Sequence, residues 1–264
     1  MIKKFNIFFS ARLVLGMVFI AGCAATVPGV SVLGKLPVIT TAALPAAMKM
    51  PEHERLVYRI TWLGLTAGEL VAEVKGRVTW RGRPCYLIEV TGRTVGFVAR
   101  FYPVEDHYRS YFDAEKFYSL RHEENRREGN YRKNAVTDFD HEAGKARFRN
   151  AVDKSEKTFD IPPGIQDNLT AAYIGRLMPL EPGQVYAFKV CNSEKVYDLF
   201  VSVSVRAQVM GRSALHLTPF ARINGTDFRE GRASGYVTDD AKKTPFLVVI
   251  KAPVFTSVTA VLQE

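Results

Sequence analysis

IPPGIQDNLTAAYIGRLM, Ile161 to Met178, is the one strong helix signal in a chain otherwise written with strand periodicity, so its reading decides the fold. Pro162, Pro163 and Gly164 close the preceding strand. Asp167 or Asn168 then supplies an N-cap oxygen for the free N–H groups of the first turn. At 100° per residue Ile165, Leu169, Ala172, Tyr173 and Leu177 fall on one face, and Ala171, Ile174 and Met178 on the other. A helix apolar on both sides belongs inside something. Arg176 stands in the middle of the first face, where a guanidinium needs an acid or several carbonyls to meet it. It is either a structural ion pair or the anchor of an anionic ligand, with Tyr173 beside it.

Outward from the helix the sequence alternates with period two. Before it, Tyr58, Ile60 and Trp62 alternate with Arg59 and Thr61, and Leu70, Ala72 and Val74 alternate with Glu69, Glu73 and Lys75. Gly96 to Phe101 has room for a single helical turn. Arg121 to Asp138, RHEENRREGNYRKNAVTD, has no apolar face and a turn at Glu128 to Asn130. It reads as a protruding hairpin or as two strands lining a wet groove, with Arg126, Arg127 and Arg132 as candidate contacts for an anionic group. After the helix, Tyr197 to Val205 alternates again, and Tyr236 to Ile250 is a strand pair joined at Asp239-Asp240, whose side chains suit a turn. These patterns predict a mainly β protein of roughly a dozen strands. The expected fold is one large antiparallel sheet curled into a barrel or half-barrel around one central α-helix.

The N-terminus predicts the compartment. Lys3, Lys4 and Arg12 precede a short apolar run, Leu13 to Ile20, that ends in Ile20-Ala21-Gly22-Cys23. A basic start, a brief apolar stretch and small residues make a secretory signal too short to span a bilayer. The last four residues resemble the bacterial lipobox, which implies cleavage before Cys23 and acylation of that residue. Residues 1–22 are then a signal peptide, 23–50 an anchored cysteine with a flexible tether about 30 Å in root-mean-square span, and 51–264 one β-rich domain. Ala24 after the cysteine implies outer-membrane delivery facing the periplasm. Removing Lys3, Lys4 and Arg12 from the 36 basic residues leaves 33 against 27 acidic ones, a net charge of +6. That charge favours anionic lipid or glycan, and in an exported protein it does not point to nucleic acid. Cys85 and Cys191 remain, as a disulfide or as two buried thiols.

LVYRITWLGLTAGEL (Leu56 to Leu70), FYPVEDHYRSYFD (Phe101 to Asp113), the EGNY turn, FDHEAGKARF (Phe139 to Phe148), QDNLTAAYIGR (Gln166 to Arg176) and GYVTDDAKKTPF (Gly235 to Phe246) occur in that order. Together they resemble the family of bacterial envelope proteins known as domain of unknown function 3108, with Tyr236 where a tryptophan is expected. The resemblance covers the chain from about Glu54 onward and implies a β-rich envelope domain; the family has no established activity, so it supplies no catalytic residues to carry over.

Catalytic spelling is sparse. His141-Glu142 begins a zinc-protease motif that fails at Lys145, and no nucleophile elbow, P-loop or dinucleotide fingerprint occurs. Glu105 and His107 share a strand face and could serve as base or ligands. No cofactor or metal is expected. The sequence therefore predicts a non-catalytic lipoprotein that binds or passes a lipid or glycan. The alternative is an assembly protein docking on an envelope partner.

Overall fold

The computed structural model describes residues 38–40, 49–223, 226–227, 232–251 and 257–263. The signal segment, Cys23 and most of the expected tether lie outside them. The first part of the chain forms β1 (Val38–Thr40), β2 (Glu54–Trp62), β3 (Leu65–Trp80), β4 (Arg83–Thr94), α1 (Gly96–Phe101), β5 (Val104–Asp113), β6 (Ser119–Glu128), β7 (Tyr131–Asp140), β8 (Lys145–Asn150) and β9 (Ser155–Asp160). The second part forms β10 (Gln166–Asp167), α2 (Asn168–Leu177), β11 (Val185–Asn192), β12 (Lys195–Val209), β13 (Arg212–Ile223), β14 (Thr226–Asp227), β15 (Arg232–Thr238), β16 (Pro245–Lys251) and β17 (Ser257–Leu262).

All 17 strands of the described residues belong to one sheet, ordered β1-β10-β11 through β17, then β2 through β9. The last strand thus pairs with the first long one, Ala260 facing Ile60 across β17 and β2. Nearly all pairings are antiparallel, but β1 and β10 each run parallel to β11, a correction to the all-antiparallel expectation. β1 is a second correction. It falls within the expected tether, yet Val38 to Thr40 is a strand on the edge of β11, and Met50 is already part of the core.

The sheet must curl. In a flat sheet at about 4.8 Å per strand, β5 and β11 would lie roughly 40 Å apart. Instead α2 touches both, and one contiguous apolar cluster joins Tyr58, Leu70, Ile88 and Phe112 with Leu169 and Ile174 of α2, Met178 just after it, and Phe188, Tyr197 and Leu215. The ladder does not close. β9 leaves one edge unpaired, with β1 and β10 at the other. Side chains bridge the gap: Phe139, Ala146 and Ile161 pack with Ile165 and Cys191, and Lys133 Nζ reaches Ser193 Oγ at 2.5 Å.

α2 forms where the sequence placed it. Asp167 Oδ1 accepts from the N–H groups of Leu169 and Thr170 at 2.8 and 3.0 Å, while the Thr170 hydroxyl accepts from Asp167 N–H at 2.9 Å, a capping box. Leu169, Ala171, Tyr173, Ile174 and Met178 are buried on both sides. Ala172 is the exception, because it faces open space. α1 is the expected single helical turn; it buries no residue, and Phe97 and Phe101 are largely exposed.

Candidate functional site

The charged stretch on β6 and β7 has one wet face and one dry one, so the reading of a protruding hairpin is corrected. Alternation turns His122, Glu124 and Glu128 of β6, and Lys133 and Thr137 of β7, into the interior. Each charge is met there. Lys133 Nζ lies 3.0 and 2.9 Å from the two Glu124 oxygens, and that carboxylate stays ionised against its burial because Lys133 and His122 face it. Arg126 bonds Glu128 and lies 3.8 Å from Asp106. Ser110 donates to Asp167 Oδ1 at 2.8 Å and sits 2.9 Å from His122 Nδ1. Because its one proton goes to the carboxylate, the His122 Nδ1–H must donate to the hydroxyl oxygen. The trio spells a hydrolase triad, but the histidine cannot serve as base to that serine. All three groups are buried, and the trio fixes the start of α2.

Three of the sequence candidates stay at this hairpin. Arg126 is half-buried in the acid cluster. Arg127 is exposed, 3.6 Å from Glu105. Arg132, also exposed, donates to the carbonyls of Gly129 and Tyr131. Glu105 and His107 point outward while Asp106, between them, points in. No group of three or more acid, histidine or cysteine side chains able to hold a metal occurs among the described residues.

The other two candidates, Tyr173 and Arg176, meet at a cavity of about 230 Å³ between α2 and the strands β2, β3, β12, β13, β15 and β16. Its wall is almost wholly apolar: Leu56, Leu70, Phe188, Leu199, Val201, Leu217, Pro219 and Val248 face Ala171, Ala172 and Gly175 of the helix. The small helical residues leave the space. A Cβ added at Gly175 would touch only the tip of Phe188, at 4.0 Å. Arg176 forms a fork on Glu54, Nη1 and Nη2 lying 2.6 and 2.7 Å from the two oxygens, and reaches the Lys242 carbonyl at 3.2 Å. The guanidinium also lies 5.1 Å above the Tyr173 ring. The sequence left an ion pair or a ligand anchor open; the fork makes Arg176 a structural partner of β2. A second, open recess of about 510 Å³ carries Arg83, Lys145, Arg147 and Arg149, each with its own carboxylate partner.

The model of the family described as "Protein of unknown function (DUF3108)" matches residues 57–263, nearly the whole described domain. The chain belongs to the DUF3108 family. No curated protein matches it. Among solved structures it is similar to the β-barrel-like protein of domain of unknown function DUF1849 from Brucella abortus, with a TM-score of 0.55 and 11% identity over 83% of this chain and 98% of that one. At that identity the likeness speaks to the fold only. In this DUF3108 protein the residues that sequence reasoning missed are Glu54 and the cavity wall from Leu199 to Val248. Glu54 carries no local signal, since its partner lies 122 residues away. The small residues Ala171, Ala172 and Gly175 on an otherwise bulky helix were the legible trace of the cavity.

Proposed function

We propose that this DUF3108 protein is a non-catalytic lipoprotein of the bacterial cell envelope, anchored in the outer membrane through acylated Cys23 and facing the periplasm. In this reading the sheet is a half-barrel curled round α2, and it holds or passes a lipid. The supporting observation is the apolar cavity left beside the helix. An engineered apolar cavity of about 150 Å³ accepts benzene, so this one has room for roughly eight to ten carbons. A glycan is the weaker ligand, because the wall has few polar atoms to replace the water a sugar would lose.

Native mass spectrometry of the mature chain, released gently from its own membranes, tests this. The carrier reading expects a reproducible extra mass that extracts into organic solvent, and its loss in Ala172→Phe, which fills the cavity without entering the packed side of α2. A bare polypeptide mass in both proteins removes the carrier reading in favour of docking on an envelope protein through the exposed Arg127 and Arg132. Charge reversal at those two positions would then release the partner.

A further inference from the structure

We infer that the end of the sheet carrying the β2–β3 turn and α1 dips into a phospholipid surface, with a rank of arginines behind it at the depth of the lipid phosphates. This contact is separate from acylated Cys23 and from any cargo in the cavity. Leu63 and Leu65 at the turn, and Phe97 and Phe101 on α1, are 59% to 70% exposed. They stand together, because the Val95 N–H just before α1 donates to the Ala67 carbonyl of β3 at 2.9 Å, and α1 packs on β3 and β4. The two phenylalanine rings touch, with centroids 4.5 Å apart. α1 buries no residue of its own, so these rings add little to the core. Large apolar side chains gathered at one exposed site mark a surface that something else covers.

The charge behind this tip says what the cover is. Strand register places Arg59, Glu69, Arg93, Glu105, Arg127 and Arg132 in one cross-strand rank from β2 to β7, on the outer face. Glu69 meets Arg93 at 3.3 Å and Glu105 meets Arg127 at 3.6 Å. Four arginines against two glutamates leave two surplus positive charges, and Arg100 in the last turn of α1 adds a third. The next outward rank, from Val57 to Asn134, has no acid, lysine or arginine. The one behind it has three acids, Glu73, Glu89 and Glu123, against Arg55 and Arg109. The positive excess is therefore confined to the rank nearest the tip. Leu65 stands four positions beyond Glu69 on β3, about 10 Å nearer the tip. A lipid headgroup layer is about 5–8 Å thick. With the arginine forks on phosphates, the apolar side chains reach just into hydrocarbon. Arg127 and Arg132, which the docking alternative gives to a protein, belong to this rank.

The test uses the whole chain from residue 23 onward with Cys23→Ser, which removes the acyl anchor, in flotation with vesicles of phosphatidylcholine alone or mixed equally with phosphatidylglycerol. The chain should float with the mixture, less at high salt. Phe97→Ser with Phe101→Ser should weaken binding by more than about tenfold. Arg93→Gln and Arg132→Gln should each weaken it about fivefold on the mixture and hardly at all on phosphatidylcholine alone. All these positions are exposed, so melting temperatures should match the parent. Val205→Ser, which removes an exposed apolar side chain elsewhere, should float like the parent. Phe97→Trp should add a fluorescence signal that shifts to the blue on vesicles and is quenched by lipids brominated near the top of the acyl chain. Three results overturn the inference: no flotation, flotation unchanged by the phenylalanine pair, which gives the contact to the tether, or self-association that the pair abolishes, which gives the tip to a second copy. Acylation of Cys23 and any cargo mass are read on the native protein, so these results leave the lipoprotein and carrier readings as they were.

Discussion

Asp106 carries an uncomfortable charge. It is 1% exposed and next to Glu128, and its carboxyl accepts from the Arg127 N–H at 3.0 Å and from Tyr108 at 3.3 Å. Burial first, and then the Glu128 charge, push its pKa from 3.8 up to about 7, with Arg126 pulling the other way. The folded state therefore holds a proton that the unfolded chain releases. Stability from this group should be highest at about pH 4 and below, fall as pH rises to about 7, and be flat beyond. The urea midpoint should be lower at about pH 8 than at about pH 5, and Asp106→Asn should reduce that difference. An identical difference in parent and variant would show that another group titrates. At this scale the sequence was half legible. Alternation marks Glu105 and Asp106 as pointing to opposite faces, but nothing local says that the polar faces of β5 and β6 turn inward. Arg176 is the same case: its need for an acid can be read, the identity of Glu54 cannot.

α2 is the element in which the sequence was most explicit. Its cap, its two apolar faces and the proline-rich stop before it are local chemistry, and all three stand in the structure. Asp167 does more than cap. The same oxygen receives Ser110, so this carboxylate ties the helix to β5 as well. Asp167→Ala should cost about 2–4 kcal/mol in urea unfolding, from about 1 for the cap and the rest for buried donors left unmet. Asp167→Asn should keep the cap and lose distinctly less. Equal losses would mean that charge, and not hydrogen bonding, fixes the helix start. The β6–β7 hairpin is the opposite case. Its turn at Gly129 and its two strands were legible, whereas its burial was not, because Lys133 and Glu124 are compatible with an interior only once each has found the other.

Across the whole molecule, Ile161 to Met178 carries the chain from β9, at one edge of the sheet, to β10 at the other. The N-terminal strands then meet the C-terminal ones where β17 lies on β2, and side chains close the remaining gap. Cys85 and Cys191 show how this arrangement settles an open question. They lie on β4 and β11 as separate buried thiols, bonded to the Val78 and Ser193 carbonyls. Burial pushes Cys85 up to about 11, and Cys191 upward too, which keeps both protonated and unreactive. A reducing agent should leave the melting temperature unchanged, and a thiol reagent should label both cysteines only in denaturant. A drop in melting temperature on reduction would instead indicate a disulfide.

The sequence by itself determined what depends on neighbours in the chain: strand alternation, the turn at Gly129, the capped helix and its apolar faces. Those features follow from backbone geometry and side-chain periodicity, which act over a few residues. The tertiary structure alone decided the order of strands, the fork of Arg176 on Glu54, the dry face of the charged hairpin and the space beside Ala172. Each of these depends on groups tens to more than a hundred residues apart, and on whether charges desolvated together find one another, which no local pattern records.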